Sequence, residues 1–123
     1  MINFLRRFFT TTPITAASMS AAQTKAEGII ADNAVAVFSK SYCPYCKATK
    51  KLLTDLKANF YSIELDQVDD GSAIQAYLVE KTGQSSVPNI FIGQKHVGGN
   101  SDLQAKNKQD LESQLKELNV IQA

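Results

Sequence analysis

Residues 34–51 read AVAVFSKSYCPYCKATKK and lead from an apolar run into a helical pattern. The run at residues 34–38 is short and unbroken, which is typical of a central strand covered on both faces. From Pro44 to about residue 58, leucines recur on one helical face and lysines lie mostly on the other. The stretch therefore predicts a strand followed by a helix, with both cysteines of the chain just beyond the strand. Sites in open α/β sheets commonly lie at that end of a strand.

The remaining segments alternate between strand and helix patterns. Residues 60–66, FYSIELD, alternate apolar and polar positions as a strand does. A right-handed helical crossover from the first strand makes these two strands parallel, and a later hairpin adds two more. The sequence therefore predicts an α/β fold with a small four-stranded mixed β-sheet and helices on both faces. The other predicted elements are helices at about 21–32 and 70–82, strands at 89–92 and 95–97, and a helical segment after residue 99.

Length and composition restrict the classes of function. The chain has 123 residues, with 44% hydrophobic and 20% charged residues, as expected of one globular domain. No apolar run reaches the 18 residues that would suggest a membrane span. Residues 21–123 carry 11 Lys against 12 acidic residues, a net charge of −1. We therefore expect no binding of nucleic acid and no attraction to anionic lipid.

The first twenty residues differ in composition from the rest. They contain Arg6 and Arg7, several Thr and Ser, and no acidic residue. This composition predicts a disordered mitochondrial targeting segment at residues 1–20, followed by one domain at residues 21–123. A secretory signal fits less well, because three threonines and Pro13 interrupt the stretch after the arginines. An untargeted tail is the other alternative.

Met19 is the only internal methionine, and it stands near the end of this segment. Translation from Met19 would yield the domain without the targeting segment. We therefore expect the protein in the mitochondrion, in the cytoplasm, or in both, as forms that start at Met1 and Met19. The alternative is that Met19 is an ordinary residue of the tail.

Cys43 and Cys46 are the only cysteines and stand three positions apart. A disulfide between them would close too short a loop to stabilise the fold much through chain entropy. A structural zinc site needs four ligands, and the chain adds only one histidine, His96, so no metal site is predicted. A Cys-x-x-Cys motif after a strand in such an α/β chain indicates a redox-active pair.

The two thiols are not equivalent in this pattern. Pro44 favours the first helical position, which puts Cys43 at the helix N-terminus. Free backbone N–H groups and the helix dipole favour a thiolate there, and Lys40 is the nearest candidate cation. Cys46 follows one turn later, inside the helix. This arrangement predicts that Cys43 attacks and Cys46 resolves the resulting mixed disulfide.

Three motifs in this order resemble the dithiol glutaredoxins: CPYC at 43–46, SSVPNIFIG at 85–93 and GGNSDL at 98–103. The resemblance covers about residues 21–120 and implies a thioredoxin fold. Thioredoxins themselves normally carry a Trp before the first Cys and Gly-Pro between the two. Here Tyr42 precedes, Pro-Tyr intervenes, and the chain has no Trp.

The resemblance implies that glutathione, a tripeptide with a carboxylate at each end, is the co-substrate. It places Lys40 and Gln84 near the glycyl carboxylate and Tyr45 beside the sulfur. It implies a cis bond between Val87 and Pro88, with the Val87 backbone pairing with the cysteinyl part. Without the resemblance, the favoured interpretations are a solvated loop lysine for Lys40 and a turn residue for Gln84.

The GGNSDL motif is implied to bind the γ-glutamyl end. Gly99 allows a close backbone approach, and Ser101 lies at the start of a helix whose N–H groups suit a carboxylate. The Asp102 carboxylate is implied to accept the γ-glutamyl ammonium. Capping of its own helix is the alternative role for Asp102.

The resemblance also implies the enzyme's activity and partners. It implies a monomeric, glutathione-dependent oxidoreductase that reduces protein disulfides and protein–glutathione mixed disulfides, with no tightly bound cofactor. Electrons would come from NADPH through glutathione reductase. One alternative is an iron–sulfur carrier in which two chains and two glutathiones hold a cluster, which Pro44 disfavours. Another is a disulfide reductase fed by thioredoxin reductase.

Overall fold

The computed structural model of the protein describes residues 16–121. Within these residues no helix is both long and apolar enough to cross a membrane. The elements follow one another in the predicted alternation, with the last helical segment divided in two. In chain order they are α1 (Ala16–Asp32), β1 (Val35–Ser39), α2 (Pro44–Asp55), β2 (Tyr61–Glu64), α3 (Gly71–Thr82), β3 (Asn89–Ile92), β4 (Lys95–Gly98), α4 (Asn100–Gln104) and α5 (Lys108–Glu117).

The four strands form one mixed sheet in the order β2-β1-β3-β4. β1 pairs with β2 in parallel and with β3 antiparallel, and β3 pairs antiparallel with β4. Every residue of β1 is buried, as the unbroken apolar run predicts. The predicted thioredoxin-type α/β fold with a four-stranded mixed sheet is confirmed.

Helices cover both faces of this sheet. Ala36 and Phe38 of β1 pack into a core cluster with residues of α1 and α3. Val35 and Val37, which point to the other face, pack with residues of α2, α4 and α5. The alternation along one buried strand therefore separates the hydrophobic core into two halves.

The sheet brings the motifs together at one end. β1 ends at Ser39 and leads directly into the Cys43 loop. Because β3 runs antiparallel to β1, its first residue, Asn89, lies opposite Phe38 near that same end. The Val87–Pro88 bond, which is cis, immediately precedes β3. Residues far apart in the sequence thus meet beside the cysteines.

Several predicted boundaries are wrong by a few residues. β2 covers Tyr61–Glu64 rather than residues 60–66. α2 ends at Asp55 rather than near residue 58, because Lys57 adopts a left-handed conformation with φ of 60°. The last helical segment is interrupted before α5, whose N-cap is Asn107. The Asn107 side chain accepts hydrogen bonds from the N–H groups of Gln109 and Asp110, at 2.9 and 3.1 Å.

The first helix begins earlier than the predicted residue 21. α1 starts at Ala16, and Met19 is half-buried against the core cluster shared with α3. The run AASMSAAQ contains residues that favour helix, and the apolar contact of Met19 stabilises the added turn. The prediction that residues 1–20 are disordered is wrong for residues 16–20, which are helical. The predicted disorder of residues 1–15 lies outside the described residues, and the targeting role stays a prediction. The domain boundary at residue 21 stays a prediction.

Candidate active site

Cys43 is the N-cap residue of α2, and Pro44 occupies the first helical turn. The Cys43 backbone is extended there, and its Sγ accepts a hydrogen bond from the Cys46 N–H at 3.2 Å. The predicted position of Cys43 at the helix N-terminus is confirmed. This geometry provides a donor that favours negative charge on the Cys43 sulfur.

Cys46 is a different kind of thiol. Both cysteines are free, but Cys43 keeps 8% of its surface exposed and Cys46 keeps none. Burial raises the pKa of Cys46, and hydrogen bonding to Cys43 raises it further. The Ser39 hydroxyl and the Lys40 backbone oppose this shift. The Cys46 side chain is therefore held as a protonated thiol with no exposure to solvent.

A partly buried polar network lies at the end of β1, close to Cys46. The fully buried Ser39 donates its hydroxyl hydrogen bond to Glu64 at 2.9 Å. Lys50 of α2 forms an ion pair with the other oxygen of Glu64. The sequence analysis missed this network, because neither strand pattern shows that a polar residue near the end of β1 faces one from β2.

The loop before β3 contacts Cys43 directly. The Cys43 thiol donates a hydrogen bond to the Val87 carbonyl oxygen at 3.7 Å, a normal reach for sulfur. The cis Val87–Pro88 bond, implied by the family resemblance, is present. The Val87 backbone therefore lies within reach of any group that bonds to the Cys43 sulfur.

A cleft of about 380 Å³ opens beside this contact. It brings together five of the residues that the sequence analysis named as ligand-binding. Tyr45 contributes an exposed ring, with 68% of its surface accessible. Asn100 and Ser86, which were not named as site residues, complete the lining. The cleft is lined by Tyr45, Ser86, Val87, Pro88, Gly99, Asn100 and Ser101.

Gln84 does not line this cleft. Its Nε2 donates to the carbonyl oxygens of Ser86 and Pro88, at 3.0 and 2.9 Å. Its Oε1 lies 3.2 Å from the His96 Nε2, which must donate since an amide oxygen only accepts. The Gln84 amide thus bonds to the carbonyl groups of the residues on either side of Val87, and also to His96.

Asp102 has a hydrogen-bond partner within the protein, and Lys40 lies near a carboxylate. The Asp102 Oδ2 accepts a hydrogen bond from the Gly99 N–H at 2.9 Å, which is the helix-capping alternative. Lys40 is half-buried and forms no ion pair with another described residue. Hydrogen bonds from Ser41 lower the pKa of Asp66, and the nearby Lys40 charge adds to this shift. Ligand contacts of Asp102 and Lys40 stay predictions.

Comparison with known proteins places the chain in a family. The Glutaredoxin family model matches residues 35–97. A glutaredoxin of Ricinus communis is 53% identical over 88 residues, covering 72% of this chain and 86% of the relative. Glutaredoxin-2 of Schizosaccharomyces pombe is 54% identical over 84 residues, covering 68% and 76%.

Solved structures agree with this placement. The structure of a buckwheat glutaredoxin–glutathione complex superposes with a TM-score of 0.85 and 44% identity. The match covers 89% of this chain and all of the buckwheat chain. A wheat glutaredoxin structure gives a TM-score of 0.76 at 52% identity, covering 80% of this chain and 92% of the wheat chain. The chain belongs to the glutaredoxin family, the glutathione-dependent thiol oxidoreductases.

Proposed function

We propose that the protein reduces protein–glutathione mixed disulfides and protein disulfides, with glutathione as the reductant. The observation that carries this proposal is the inequality of the two thiols. The Cys43 sulfur accepts a helix N–H beside an open cleft, whereas Cys46 is fully buried one turn later. The first suits a nucleophile and the second a resolving thiol.

Deglutathionylation needs Cys43 alone. The Cys43 thiolate attacks the glutathione sulfur of a mixed disulfide, and the substrate protein leaves as a thiolate that takes up a proton. Cys43 now carries glutathione through a new disulfide bond. The thiolate of a second glutathione attacks the bound glutathione sulfur, which releases glutathione disulfide and restores the Cys43 thiolate. NADPH and glutathione reductase would then regenerate two glutathiones.

Reduction of a protein disulfide needs both cysteines. Cys43 attacks one sulfur and forms a mixed disulfide, and the other substrate sulfur leaves as a thiolate. Cys46 gives up its proton and attacks the Cys43 sulfur, so the second substrate sulfur departs and takes a proton. Two glutathiones reduce the Cys43–Cys46 disulfide and leave as glutathione disulfide. The raised pKa of Cys46 keeps it as a thiol until this attack occurs.

The cleft beside Cys43 is the proposed glutathione site. In support, the similar buckwheat glutaredoxin has been solved as a glutathione complex. We assign the cysteinyl part to the Val87 backbone, with Pro88 and Tyr45 alongside, and the γ-glutamyl end to Gly99 and Ser101. Lys40 would attract the glycyl carboxylate, and Asp102 the ammonium. Gln84 would act by holding the Val87 loop, since its amide already bonds to that loop.

A split between two activities tests this function. The variant Cys43→Ser is expected to lose both deglutathionylation and protein-disulfide reduction. The variant Cys46→Ser should keep deglutathionylation and lose most reduction of a protein disulfide, measured with the same glutathione supply. Equal loss of both activities in Cys46→Ser would contradict the mechanism. Full activity with thioredoxin reductase and without glutathione would instead favour the reductase alternative.

We also propose that the protein acts as a monomer in the mitochondrion and the cytoplasm, through starts at Met1 and Met19. A form starting at Met19 retains the α1 residues Ala22, Ala26 and Ile30, which are buried against the sheet. N-terminal sequencing of the protein from each compartment tests this proposal. A cytoplasmic form that starts elsewhere would contradict it.

A further inference from the structure

His96 is the only histidine of the chain, and its place on β4 gives it a defined partner. It lies opposite Phe91 of β3, and the two rings pack with their centroids 5.2 Å apart. Phe91 is buried in the core, so it supports the imidazole from the sheet. The His96 Nε2 lies 3.2 Å from the Gln84 Oε1. The histidine therefore links the sheet to the residue just before the Val87 loop, which comprises residues 85–88.

The direction of this hydrogen bond follows from the other contacts of Gln84. Its Nε2 lies 3.0 and 2.9 Å from the carbonyl oxygens of Ser86 and Pro88, which can only accept. The end of the amide that faces His96 is therefore the oxygen, which also only accepts. Burial lowers the pKa of His96, against the opposing Asp102 charge, so the ring is neutral at neutral pH and has a single N–H. That N–H must be at Nε2.

Both N–H groups of the Gln84 amide are bonded to the residues on either side of Val87. A peptide group is planar, and the C=O and N–H of a trans peptide point in opposite directions. The Ser86–Val87 bond is trans, so Gln84 sets the direction of the Val87 N–H by holding the Ser86 carbonyl. The Val87 carbonyl lies 3.7 Å from the Cys43 Sγ. The Gln84 amide therefore controls how the Val87 backbone faces the reacting sulfur.

We propose that His96 is a positioning residue, which fixes the orientation of the Val87 backbone through the Gln84 amide. The proposal rests on the cleft being the glutathione site, in which that backbone binds the cysteinyl part. His96 itself does not line the cleft. Without the His96 donor, the Gln84 oxygen loses its partner and the amide is free to turn toward solvent. A binding contact that is equally strong before and during the chemical step affects KM and leaves kcat unchanged.

The tautomer of His96 gives a test that does not depend on activity. In ¹⁵N NMR of the full chain at neutral pH, the His96 ring is expected to carry its proton on Nε2. The side-chain N–H groups of Gln84 should exchange slowly with solvent, and at least about threefold faster in His96→Phe, because one of the three hydrogen bonds that hold the amide is gone. A His96 ring protonated on Nδ1 alone would overturn the proposal.

The kinetic arm removes the donor and keeps the ring. His96→Phe can still pack against Phe91, and we expect its KM for a glutathionylated peptide to rise about threefold, with kcat within about twofold. His96→Gln places an amide N–H near the position of the lost Nε2 donor and should rescue KM. Lys95→Gln is the matched control and should leave KM unchanged, because Lys95 is exposed and its side chain points to the opposite face of β4.

The same peptide, carrying γ-glutamylcysteine or cysteinylglycine in place of glutathione, tests which part of the substrate is affected. All three share the cysteinyl part, so His96→Phe should raise KM by the same factor for each. A rise that occurs with glutathione and is absent with γ-glutamylcysteine would overturn the proposed action through Val87, and would assign His96 to the glycyl end instead.

A double variant tests whether His96 acts through Gln84. In a Gln84→Ala background no acceptor remains for His96, so adding His96→Phe should leave KM where Gln84→Ala alone puts it. A further threefold rise in that background would show independent roles and overturn the proposal.

The outcomes separate this inference from the proposed function. An unchanged KM in His96→Phe, with a wild-type enzyme that depends on glutathione, would overturn the inference alone. A wild-type enzyme without glutathione-dependent activity would overturn the proposed function as well. If His96→Phe fails to fold, His96→Leu repeats the kinetic arm, since the position is exposed.

Discussion

The backbone N–H of Cys46 donates to the Sγ of Cys43 at 3.2 Å, so the proposed resolving residue supports the proposed nucleophile before any substrate binds. The Cys46 thiol itself is stabilised in its protonated form. Burial raises its pKa, and its hydrogen bond to Cys43 raises the pKa further. One turn of helix therefore gives two identical side chains different chemistry. It also predicts how the Cys46 thiol will respond to pH.

We expect Cys46 to be alkylated slowly at neutral pH. Because the raised pKa keeps Cys46 protonated, its reaction with iodoacetamide should accelerate only above about pH 8.5, the ordinary thiol pKa. The rate is measured by mass spectrometry in Cys43→Ser, with Cys46→Ser as the matched control that reports Cys43. At pH 7 the control should react at least about tenfold faster. Equal rates at pH 7 would refute the inequality of the two thiols.

A variant of Gln84 can show whether this residue positions the Val87 loop or contacts glutathione directly. Gln84→Ala removes the donors to the Ser86 and Pro88 carbonyls, so we expect a loss of about 1–2 kcal/mol in the free energy of unfolding. Glutathione KM should rise as Val87 shifts, and by the same factor for γ-glutamylcysteine. Denaturant unfolding and steady-state kinetics measure these effects.

Gln75→Ala is the control for this experiment. The Gln75 Nε2 donates to the Ser85 carbonyl at 2.8 Å, on the same loop but away from the cleft lining. It should lower stability slightly and leave KM unchanged. A Gln84→Ala variant of wild-type stability, whose KM rises for glutathione but not for γ-glutamylcysteine, would show direct contact with the glycyl carboxylate instead.

The ion pair between α1 and α3 predicts a pH dependence of stability. Hydrogen bonds from Lys81 and Tyr77 lower the pKa of Glu27. Since the folded-state pKa is the lower one, the stabilising contribution is complete above the unfolded pKa of about 4.3 and is lost as pH falls further. The stability difference between wild type and Glu27→Gln should therefore be constant from pH 6 to pH 8 and shrink below about pH 4.

The same contact should also affect the free energy of unfolding at alkaline pH. Burial and the hydrogen bond to Glu27 raise the pKa of Tyr77 to about 12. The contribution of Tyr77 to the free energy of unfolding is therefore complete below pH 10 and is lost as pH rises toward 12.

Asp70→Asn serves as control for both pH ranges, because it removes the exposed Lys25–Asp70 pair between α1 and the start of α3, and such pairs contribute little to stability. A stability difference for Glu27→Gln that stays constant down to pH 3 would contradict the assignment.

Local signals predicted part of the site. Pro44 alone placed Cys43 at a helix N-terminus, because its ring fixes φ and lacks an N–H wherever it stands. The unbroken run of β1 gave the central strand for an equally local reason. Motif resemblance added Val87, Pro88 and Gly99, which the structure brings to one cleft.

Side-chain direction and long-range pairing were not predictable in the same way. Gln84 bonds to the loop beyond it, and that depends on the path of the loop rather than on the residue type. Thr49 meets Asn100 across 51 positions, and Ser39 meets Glu64 across 25. No local pattern specifies such contacts, because they form only when two elements pack together.

Two glycines in helices predict opposite effects of the same substitution. At Gly71, the first residue of α3, an added Cβ would lie 1.8 Å from the Leu65 carbonyl oxygen, and backbone cannot move aside cheaply. Gly71→Ala should therefore lower the free energy of unfolding by about 1–3 kcal/mol or more, despite the better helix propensity of Ala.

Gly28 lies inside α1 with nothing within 4 Å of its added Cβ. Gly28→Ala should raise the free energy of unfolding by up to about 1 kcal/mol, because only propensity changes. Urea unfolding of both variants compares the two effects, and a stabilised Gly71→Ala would mean that α3 does not pack against Leu65 this closely.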